Sequence, residues 1–293
     1  MNRPTVSVVI PTIGRADVAR AVHSVLRQSE PVSEILVVAD TLDEFDLPAD
    51  IRIRVLRVGP AAGGNTARQA GIDAAEGDVI GLLDDDDEWH EDKVRMQLDE
   101  AARALTSDWI ISSRVVLRRS KTDSLIQPGR PLGPDESIVH YMFRKSSPRA
   151  GHGFLQASTL MFPRHLGVSV GFDRTLRFHQ DISWLVDVAT ALPEVELLQV
   201  WEPLVTYNST QGSVSKRIDP MASINWAQVR LQQDRRTMGD FILTQSLGFA
   251  RRTGSVWLMC RVLVSGMRVA RPGTAAIIYA LGAIVKTAIG ARR

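Results

Sequence analysis

Short apolar runs alternate along the chain with longer segments whose apolar residues recur every three or four positions. The first kind is typical of buried strands and the second of amphipathic helices. The strand-like runs span residues 5–10, 34–39, 51–58 and 79–83, and the helical segments span 16–28, 66–75 and 91–105. Because strand and helix alternate at short spacing, the pattern predicts parallel strands joined by right-handed crossovers. We therefore predict an α/β fold with a doubly wound, mainly parallel sheet flanked by helices.

Three of these strands end in polar residues. Pro11 and Thr12 follow the first strand, Asp40 follows the second, and Asp84 to Asp87 follow the fourth. In a doubly wound sheet such strand ends line one edge, where ligands bind. Four adjacent carboxylates repel one another, so a cation or basic groups must neutralise them. Oxygen ligands suit Mg²⁺, Mn²⁺ or Ca²⁺; the alternative is a solvated acidic turn before a helix.

The chain lacks the sequence motifs of several common nucleotide-binding folds, and this reduces the number of protein classes that fit it. No Gly-x-Gly-x-x-Gly follows the first strand, and this weakens a dinucleotide-binding interpretation. Gly63-Gly64 lacks the Gly-Lys-Ser/Thr ending of a phosphate loop. The single cysteine, Cys260, excludes an internal disulfide and is compatible with a reducing cytosol. Because a strand-like run begins at Thr5, we predict no secretory signal.

Four short motifs stand at the strand ends and on the helix between them. They read Val-Ser-Val-Val-Ile-Pro-Thr, Glu-Ile-Leu-Val-Val-Ala-Asp, Ala-Arg-Gln-Ala-Gly-Ile-Asp-Ala-Ala-Glu-Gly-Asp and Leu-Leu-Asp-Asp-Asp-Asp-Glu-Trp. Their order resembles the family 2 glycosyltransferases of GT-A fold, over residues 4–213. The resemblance implies a doubly wound sheet that is mixed but mainly parallel, flanked by helices and followed here by a C-terminal helical segment. The resemblance implies that a sugar passes with inversion from a nucleoside-diphosphate sugar to an acceptor hydroxyl.

By this resemblance Pro11 and Thr12 would lie against the nucleotide, and Asp40 would read its base. Family members often carry two aspartates after the second strand, whereas this chain has Ala39-Asp40. Arg68 would face the nucleotide or the diphosphate. The residues taken alone leave simpler interpretations open, namely a strand-ending turn for Pro11-Thr12 and a solvated helix arginine for Arg68.

The resemblance also assigns roles within the acidic run. Asp84 and Asp86 match the family's Asp-x-Asp motif and would bind Mn²⁺ or Mg²⁺, while Asp85 would touch the ribose. Such ions commonly use one or two carboxylates together with substrate phosphate oxygens. Asp87 and Glu88 would support the turn or begin a helix, and Trp89 would be a packing residue.

Asp181 stands in a segment that reads Arg-Phe-His-Gln-Asp-Ile-Ser-Trp. It resembles the family segment in which an acid opens a helix beneath the acceptor. That match makes Asp181 the general base, which takes the proton of the acceptor hydroxyl. The residues alone favour a helix N-cap, because apolar positions at helical spacing follow it. His179 would be a neighbour of the site or a packing residue.

We expect residues 1–213 to form the transferase domain, with residues 1–105 holding the donor and 106–213 the acceptor. Residues 118–134 are rich in proline and glycine, which predicts a loop. Residues 208–217 also predict a loop. Its polar side chains either close over the diphosphate or belong to an ordinary linker; they are Ser213, Ser215, Lys216 and Arg217.

Residues 214–293 form a basic tail with thirteen Lys or Arg and three Asp or Glu, a net charge of +10 in a chain whose total is +2. Its two strongly apolar runs, 255–269 and 274–285, fall short of the ~20 uncharged residues of a spanning helix. Basic, apolar helices suit a membrane interface, although a helical hairpin packed on the domain or on a partner subunit has the same pattern. Aromatic residues are not interleaved with the basic ones, which argues against nucleic acid.

These observations combine into one functional prediction. We predict a metal-dependent inverting glycosyltransferase with a nucleotide-sugar donor and a lipid-linked or saccharide acceptor, acting in cell-surface polysaccharide or glycolipid synthesis. We expect it in the cytoplasm, peripheral on the inner face of the cell membrane through residues 255–293. A polyprenyl-phosphate glycosyltransferase and a non-catalytic nucleotide-sugar or membrane-surface binding protein are the alternatives. The donor sugar, the base, the linkage and the oligomeric state stay open.

Overall fold

A computed structural model describes residues 3–118, 120, 122–149, 153–208 and 218–290. The chain forms two compact units. The first, here called the sheet unit, comprises Met1–Pro131 and Leu155–Thr210, and the second, the helical unit, comprises Leu132–Phe154 and Gln211–Arg293. Residues 132–154 thus belong with the C-terminal helices, a division that the composition of the chain does not mark. The four loop residues proposed to close over the diphosphate, Ser213 to Arg217, lie outside the described residues.

Within the described residues, nine strands make up the sheet. They are β1 (Val6–Thr12), β2 (Glu34–Ala39), β3 (Ile53–Arg57), β4 (Val79–Leu82), β5 (Glu88–Trp89), β6 (Trp109–Arg118), β7 (Ser124–Gln127), β8 (Met161–Pro163) and β9 (Glu196–Asn208). The order is β3-β2-β1-β4-β8-β6-β9-β5, and β7 pairs with β6. The pairings among β3, β2, β1 and β4 are parallel, as predicted, and so is the long β6–β9 pairing. Strands β5, β7 and β8 pair antiparallel, so the sheet is mixed.

Helices cover the sheet. They are α1 (Val18–Leu26), α2 (Gly64–Ala74), α3 (Lys93–Ala101), α5 (Arg164–Ser169) and α6 (Gln180–Ala191), with a 3₁₀ turn at Ala157–Thr159. The apolar runs of the first, second and fourth strands are almost wholly buried, because helices lie against them. This burial supplies the main stabilising term for the unit.

Several local predictions are wrong. Helix α3 ends at Ala101, four residues before the predicted end at residue 105, and Leu105 is 90% exposed. Helix α2 begins at Gly64, two residues before the predicted start at residue 66. Asn65, a residue type that often caps helices, does not cap α2: Gly63 is the N-cap, and the Asn65 side chain donates to the Asp173 carbonyl at 2.7 Å. The expected loop of residues 118–134 contains strand β7. The apolar run of residues 154–162 contains the 3₁₀ turn Ala157–Thr159, and strand β8 begins only at Met161.

The helical unit consists of short helices around an aromatic core. They are α4 (Ile138–Phe143), α7 (Pro220–Arg230), α8 (Arg235–Phe241), a π-helical turn (Ile242–Ser246), α9 (Leu247–Arg252), α10 (Val256–Val269) and α11 (Thr274–Gly290). Phe143 and Phe241 meet edge to face, with ring centroids 5.1 Å apart, beside Trp226. The helices that the structure describes are all too short or too polar to span a bilayer.

Candidate active site

The carboxyl ends of β1, β2 and β4 bring their polar residues to one edge of the sheet. Strand β1 lies between the other two and pairs with both in parallel. Its last residue, Thr12, donates from Oγ1 to Asp85 Oδ2 at 2.7 Å, which joins the first strand end to the acidic run. The predicted convergence of these strand ends is therefore present in the fold.

The acidic turn, Asp84 to Asp87, is enclosed by protein. Asp85 and Asp87 are 4% and 0% exposed, and the side chains of Asp84 and Asp86 are only 25% and 13% exposed. The interpretation as a solvated turn is wrong, because these carboxylates are directed at neighbouring side chains instead of water. Buried carboxylates that lie close together stay charged only when neighbouring groups donate hydrogen bonds to them or carry positive charge.

Asp87 is the most deeply buried residue of the acidic turn. Its Oδ2 accepts from Ser158 Oγ at 2.6 Å and from Gln156 Nε2 at 3.0 Å, and its Oδ1 accepts from the Asn208 backbone at 3.2 Å. Burial raises the pKa of Asp87 well above its usual range, and the neighbouring Asp84 adds to the rise. This carboxyl group ties the turn to β9 and to the 3₁₀ turn, and so fixes its shape.

Two arginines neutralise the outer carboxylates. Arg15, in the loop between β1 and α1, donates from Nη1 to Asp85 Oδ1 at 2.8 Å and to Asp86 Oδ2 at 3.3 Å. Arg68, on α2, donates from Nη2 to Asp84 Oδ1 at 2.6 Å. Burial raises the pKa of Asp85, while the bonds from Thr12 and Arg15 oppose that rise.

Arg68 also joins the acidic turn to helix α6. Its Nη1 donates to Gln180 Oε1 at 2.8 Å, and its side chain is 9% exposed. The interpretation as a solvated helix arginine is wrong. Burial alone would lower the pKa of Arg68, but Asp84 and Asp181 more than compensate and raise it. A buried guanidinium beside a carboxylate is a strong, permanently charged oxyanion donor.

Asp181 lies one residue inside α6. The N-cap is His179, which adopts a left-handed backbone with φ 54°, so the N-cap interpretation of Asp181 is wrong. The Asp181 carboxylate accepts from the Ile182 and Ala157 backbone N–H groups at 2.9 and 3.3 Å. Desolvation raises its pKa, Arg68 opposes the rise and Asp84 adds to it. A carboxylate of raised pKa binds a proton more readily than an ordinary aspartate.

Asp40 organises the loop before α2. Its two carboxylate oxygens accept from the Ala62 and Gly63 backbone N–H groups, each at 2.7 Å. Arg177 donates from Nη1 to the Ala62 carbonyl at 3.1 Å on the same loop. Pro11 lies within β1, opposite Val38 of β2. Asp40 and Pro11 therefore line the edge near the loop, and Asp40 acts through the backbone of that loop.

Sequence reasoning missed several polar side chains of the site. They are Arg15, Arg20, Gln156, Ser158, Gln180 and Asn208. The position of Arg15 at a strand end was a usable signal, because the loops at that edge carry the ligand-binding groups. Gln156 and Asn208 had no local signal, since their positions depend on how β8 and β9 join the sheet.

The donor set of the acidic turn fits a hard divalent cation. Asp84 and Asp86 offer carboxylate oxygens, and the buried Gln156 Oε1 has no hydrogen-bond partner. Among the residues that the structure describes, no group of three His, Cys, Asp or Glu side chains encloses a metal. Mg²⁺ and Mn²⁺ accept such an incomplete protein shell, because substrate phosphates and water fill the remaining positions.

Comparison with known proteins identifies the class to which this fold and site belong. The family model described as glycosyl transferase family 2 matches residues 7–157, just over half of the 293 residues. The chain belongs to this family of glycosyltransferases, as the strand-end motifs predicted.

Individual relatives agree with this assignment. The amylovoran biosynthesis glycosyltransferase AmsB of Erwinia amylovora is 26% identical over 235 residues, which cover 75% of each chain. The putative teichuronic acid biosynthesis glycosyltransferase TuaG of Bacillus subtilis is 34% identical over 106 residues, 33% of this chain and 42% of that protein. The crystal structure of S. aureus TarS 1-349 with UDP-GlcNAc gives a TM-score of 0.56 at 14% identity, over 90% of this chain and 71% of that one. The last likeness confirms the GT-A fold.

Proposed function

We propose that this protein is a metal-dependent inverting glycosyltransferase that moves a sugar from a nucleoside-diphosphate sugar to a hydroxyl acceptor. The observation that carries the proposal is the position of Arg68, whose guanidinium contacts both Asp84 of the acidic turn and Gln180 at the start of α6. The proposed donor site and the proposed base thus lie around the buried guanidinium of Arg68. The names of AmsB and TuaG, both biosynthesis glycosyltransferases, favour a polysaccharide or glycolipid product.

The donor side of the reaction uses the strand-end residues. Pro11, Thr12 and Asp40, with the loop that Asp40 holds, form the nucleotide side, Asp85 reaches the ribose, and Arg68 binds the diphosphate. The UDP-GlcNAc bound to TarS supports a nucleotide sugar as the donor. A Mn²⁺ or Mg²⁺ ion held by Asp84 and Asp86 would stabilise the charge on the departing diphosphate.

The acceptor side uses Asp181. As the bond forms between the acceptor oxygen and the anomeric carbon, the Asp181 carboxylate takes the hydroxyl proton, and the bond to the nucleoside diphosphate breaks. A well-placed general base contributes about 10² to 10⁴-fold. The raised pKa of Asp181 favours this proton transfer. Inversion follows because the acceptor attacks from the side opposite the leaving group.

The test is a thermal-shift titration with UDP and other nucleoside diphosphates, with and without Mn²⁺. A ligand that binds the folded form raises its melting temperature. We expect one nucleotide to stabilise the protein more strongly when Mn²⁺ is present, and we expect Asp86→Ala to remove that extra shift. Asp99→Ala, which removes a half-exposed carboxylate on α3, is the matched control and should leave the shift unchanged.

The outcomes of this titration separate the candidate functions. An intact Mn²⁺-dependent shift in Asp86→Ala would disprove the metal assignment. A protein that binds the nucleotide but transfers no sugar to any lipid-linked or saccharide acceptor would be a binding protein instead of an enzyme. Transfer to a polyprenyl phosphate alone would favour that anionic acceptor, which needs less help from a base.

We also propose that the helical unit binds the cytoplasmic face of the cell membrane through two apolar stripes on α10 and α11. The stripes consist of exposed side chains at helical spacing, Trp257, Val264 and Met267 on α10 and Ile278, Leu281, Val285 and Ile289 on α11. Arg261 and Arg268 lie on the first stripe and Lys286 beside the second. Residues 241–293 contain no Asp or Glu, so anionic lipid headgroups complement these stripes.

A second copy of the chain would fit against the apolar stripes less well than a membrane surface does. A two-fold dimer places the same patch on both subunits. Arg261 and Arg268 would then face their own counterparts, with no acidic residue on either helix to compensate. The membrane surface is therefore the partner that the charge pattern favours.

A further inference from the structure

Arg15 is a basic residue of the site that has no role in the reaction proposed above. Its side chain is 30% exposed, and its Nη1 makes both of its contacts, with Asp85 and Asp86. The loop that carries it has its own support, because the Gly14 N–H donates to Thr12 Oγ1 at 3.0 Å and the Val18 N–H donates to the Arg15 carbonyl at 3.2 Å. The guanidinium is therefore not needed to shape the loop.

The position of Arg15 conflicts with a divalent cation on the acidic turn. Its Nη1 lies 3.3 Å from Asp86 Oδ2, an oxygen proposed to bind the cation. A cation bound there at about 2.1 Å from that oxygen would stand close to the guanidinium, and two positive groups at such a distance repel each other. Arg15 and the cation thus compete for Asp86 unless an anion joins them.

The donor diphosphate is an anion of the right kind. Because Nη1 serves both carboxylates, Nη2 and Nε of Arg15 are left with donors for another oxyanion, and the planar guanidinium suits a phosphate. Arg68 is less able to change partners, since it is nearly buried between Asp84 and Gln180. Among the described residues Arg68 Nε also has no hydrogen-bond partner, but it is buried. Arg15 is the more exposed of the two arginines, at 30% against 9%, so its unused donors are the more accessible.

We propose that Arg15 is a further donor-binding residue that couples cation binding to diphosphate binding. In the free protein it is the counter-ion of Asp85 and Asp86. When the cation and the donor bind together, the guanidinium turns its donors to the phosphate and releases Asp86. Each ligand then raises the affinity of the other, and the factor is the same in both directions. This inference rests on the proposed donor and cation site.

The test measures the affinity for Mn²⁺ without and with UDP, by calorimetry or by the paramagnetic resonance of free Mn²⁺. In the unaltered protein we expect UDP to tighten Mn²⁺ binding at least about fivefold. In Arg15→Gln we expect Mn²⁺ alone to bind at least as tightly as before, because its competitor is gone. We expect the UDP effect to become smaller, and the part that remains comes from direct contact between the phosphates and the ion. Arg15→Lys should keep part of the coupling, because lysine has the positive charge of arginine but lacks its planar set of paired hydrogen-bond donors.

Arg27→Gln is the matched control, because Arg27 is exposed at the end of α1 and its removal changes the net charge equally. It should retain the full coupling. An unaltered coupling factor in Arg15→Gln, or an equal loss of Mn²⁺ and UDP affinity without a change in the factor, would overturn the inference. If the unaltered protein binds neither Mn²⁺ nor UDP, it is the proposed function that fails. Circular dichroism of each variant establishes that it is folded.

Discussion

Two carboxylates of the site are prepared for different roles by their surroundings. Asp87 is fully buried, and two side chains and a backbone N–H donate to it. Within the part of the chain that the structure describes, Asp181 accepts from backbone N–H groups alone, and part of the residue is open to solvent. A carboxylate committed to three donors holds structure, whereas one with remaining lone pairs can accept a proton from a substrate. Asp87 therefore supports the turn, and the surroundings of Asp181 suit its proposed role as the base.

Replacing Asp181 with Asn tests this distinction. Asparagine has nearly the same shape but cannot take the acceptor's proton. We expect the rate of sugar transfer to fall about 10² to 10⁴-fold, while the affinity for UDP changes little. Initial rates and UDP binding measure the two effects separately. Turnover close to that of the unaltered protein would remove the general-base assignment.

His179 makes a second prediction at the scale of a residue. Burial lowers its pKa to about 4, below the usual value of 6.5. The unfolded chain therefore binds a proton at a higher pH than the folded one, so stability is lost as the pH falls from about 6.5 through about 4. His179→Asn, which tolerates the left-handed backbone, should remove this loss. We expect the free energy of unfolding of the unaltered protein to fall about 1 to 3 kcal/mol more than that of the variant.

Urea unfolding of both proteins at several values of pH measures this difference. Parallel curves for the two proteins would show that His179 does not titrate as its burial implies. The comparison between variants cancels the other groups that titrate over the same range of pH.

At the scale of elements, the site depends on how closely α2 approaches the sheet. A Cβ at Gly71 would stand 2.4 Å from Val9 Cγ1 and 3.0 Å from Val38 Cγ2. Glycine at this position lets α2 lie directly on β1 and β2. The same helix carries Arg68, so the approach of α2 also sets the distance between the guanidinium and Asp84.

Gly71→Ala should therefore affect both stability and binding. We expect a loss of about 1 to 3 kcal/mol from overpacking and a weaker affinity for UDP, because the displaced helix carries Arg68 away from the acidic turn. Urea unfolding and UDP titration measure the two effects. Gly282→Ala on α11 is the control, since a Cβ there meets no atom within 4 Å; it should stabilise its helix by about 0.5 to 1 kcal/mol. A Gly71→Ala variant as stable as the unaltered protein would contradict the packing argument.

At the scale of the whole molecule, charge and chemistry are divided between the two units. The described site residues all belong to the sheet unit, while the tail of residues 214–293 has a net charge of +10. Because no acidic residue follows Asp240 in the sequence, α10 and α11 carry no carboxylate that could offset their own basic side chains. This asymmetry leads to a prediction about membranes.

The protein should bind phosphatidylcholine vesicles that contain phosphatidylglycerol and bind vesicles without it weakly. Replacing both Arg261 and Arg268 with Gln should reduce binding roughly tenfold or more, at about 1 kcal/mol for each charge. The same two-charge change at Arg27 and Arg103 of the sheet unit is the control and should have a smaller effect. Vesicle flotation measures the binding. A dimer in light scattering that does not bind vesicles would show that a second copy covers the stripes.

The convergence of the residues proposed for the donor side could be predicted, because these residues follow strands directly. Thr12, Asp40 and Asp84 stand at strand ends, and parallel neighbouring strands must bring those ends together. The proposed acceptor side depends on pairing between strands that are distant in the sequence. Gln156 reaches Asp84 and Asp87 because β8 pairs with β4 in the antiparallel direction. An apolar run in the sequence predicts a strand but not whether that strand pairs parallel or antiparallel.

The sequence by itself determined the α/β class, the first four strands, the edge of the sheet where the polar strand ends meet, and the family, since these depend on local periodicity and on motifs at short spacing. Only the tertiary structure decided that the acidic turn is buried, that Arg15 and Arg68 neutralise it, that Asp181 lies inside α6, and that residues 132–154 belong to the helical unit. The physical reason is that burial and charge pairing arise between residues far apart in the chain, and the local pattern holds no record of such neighbours.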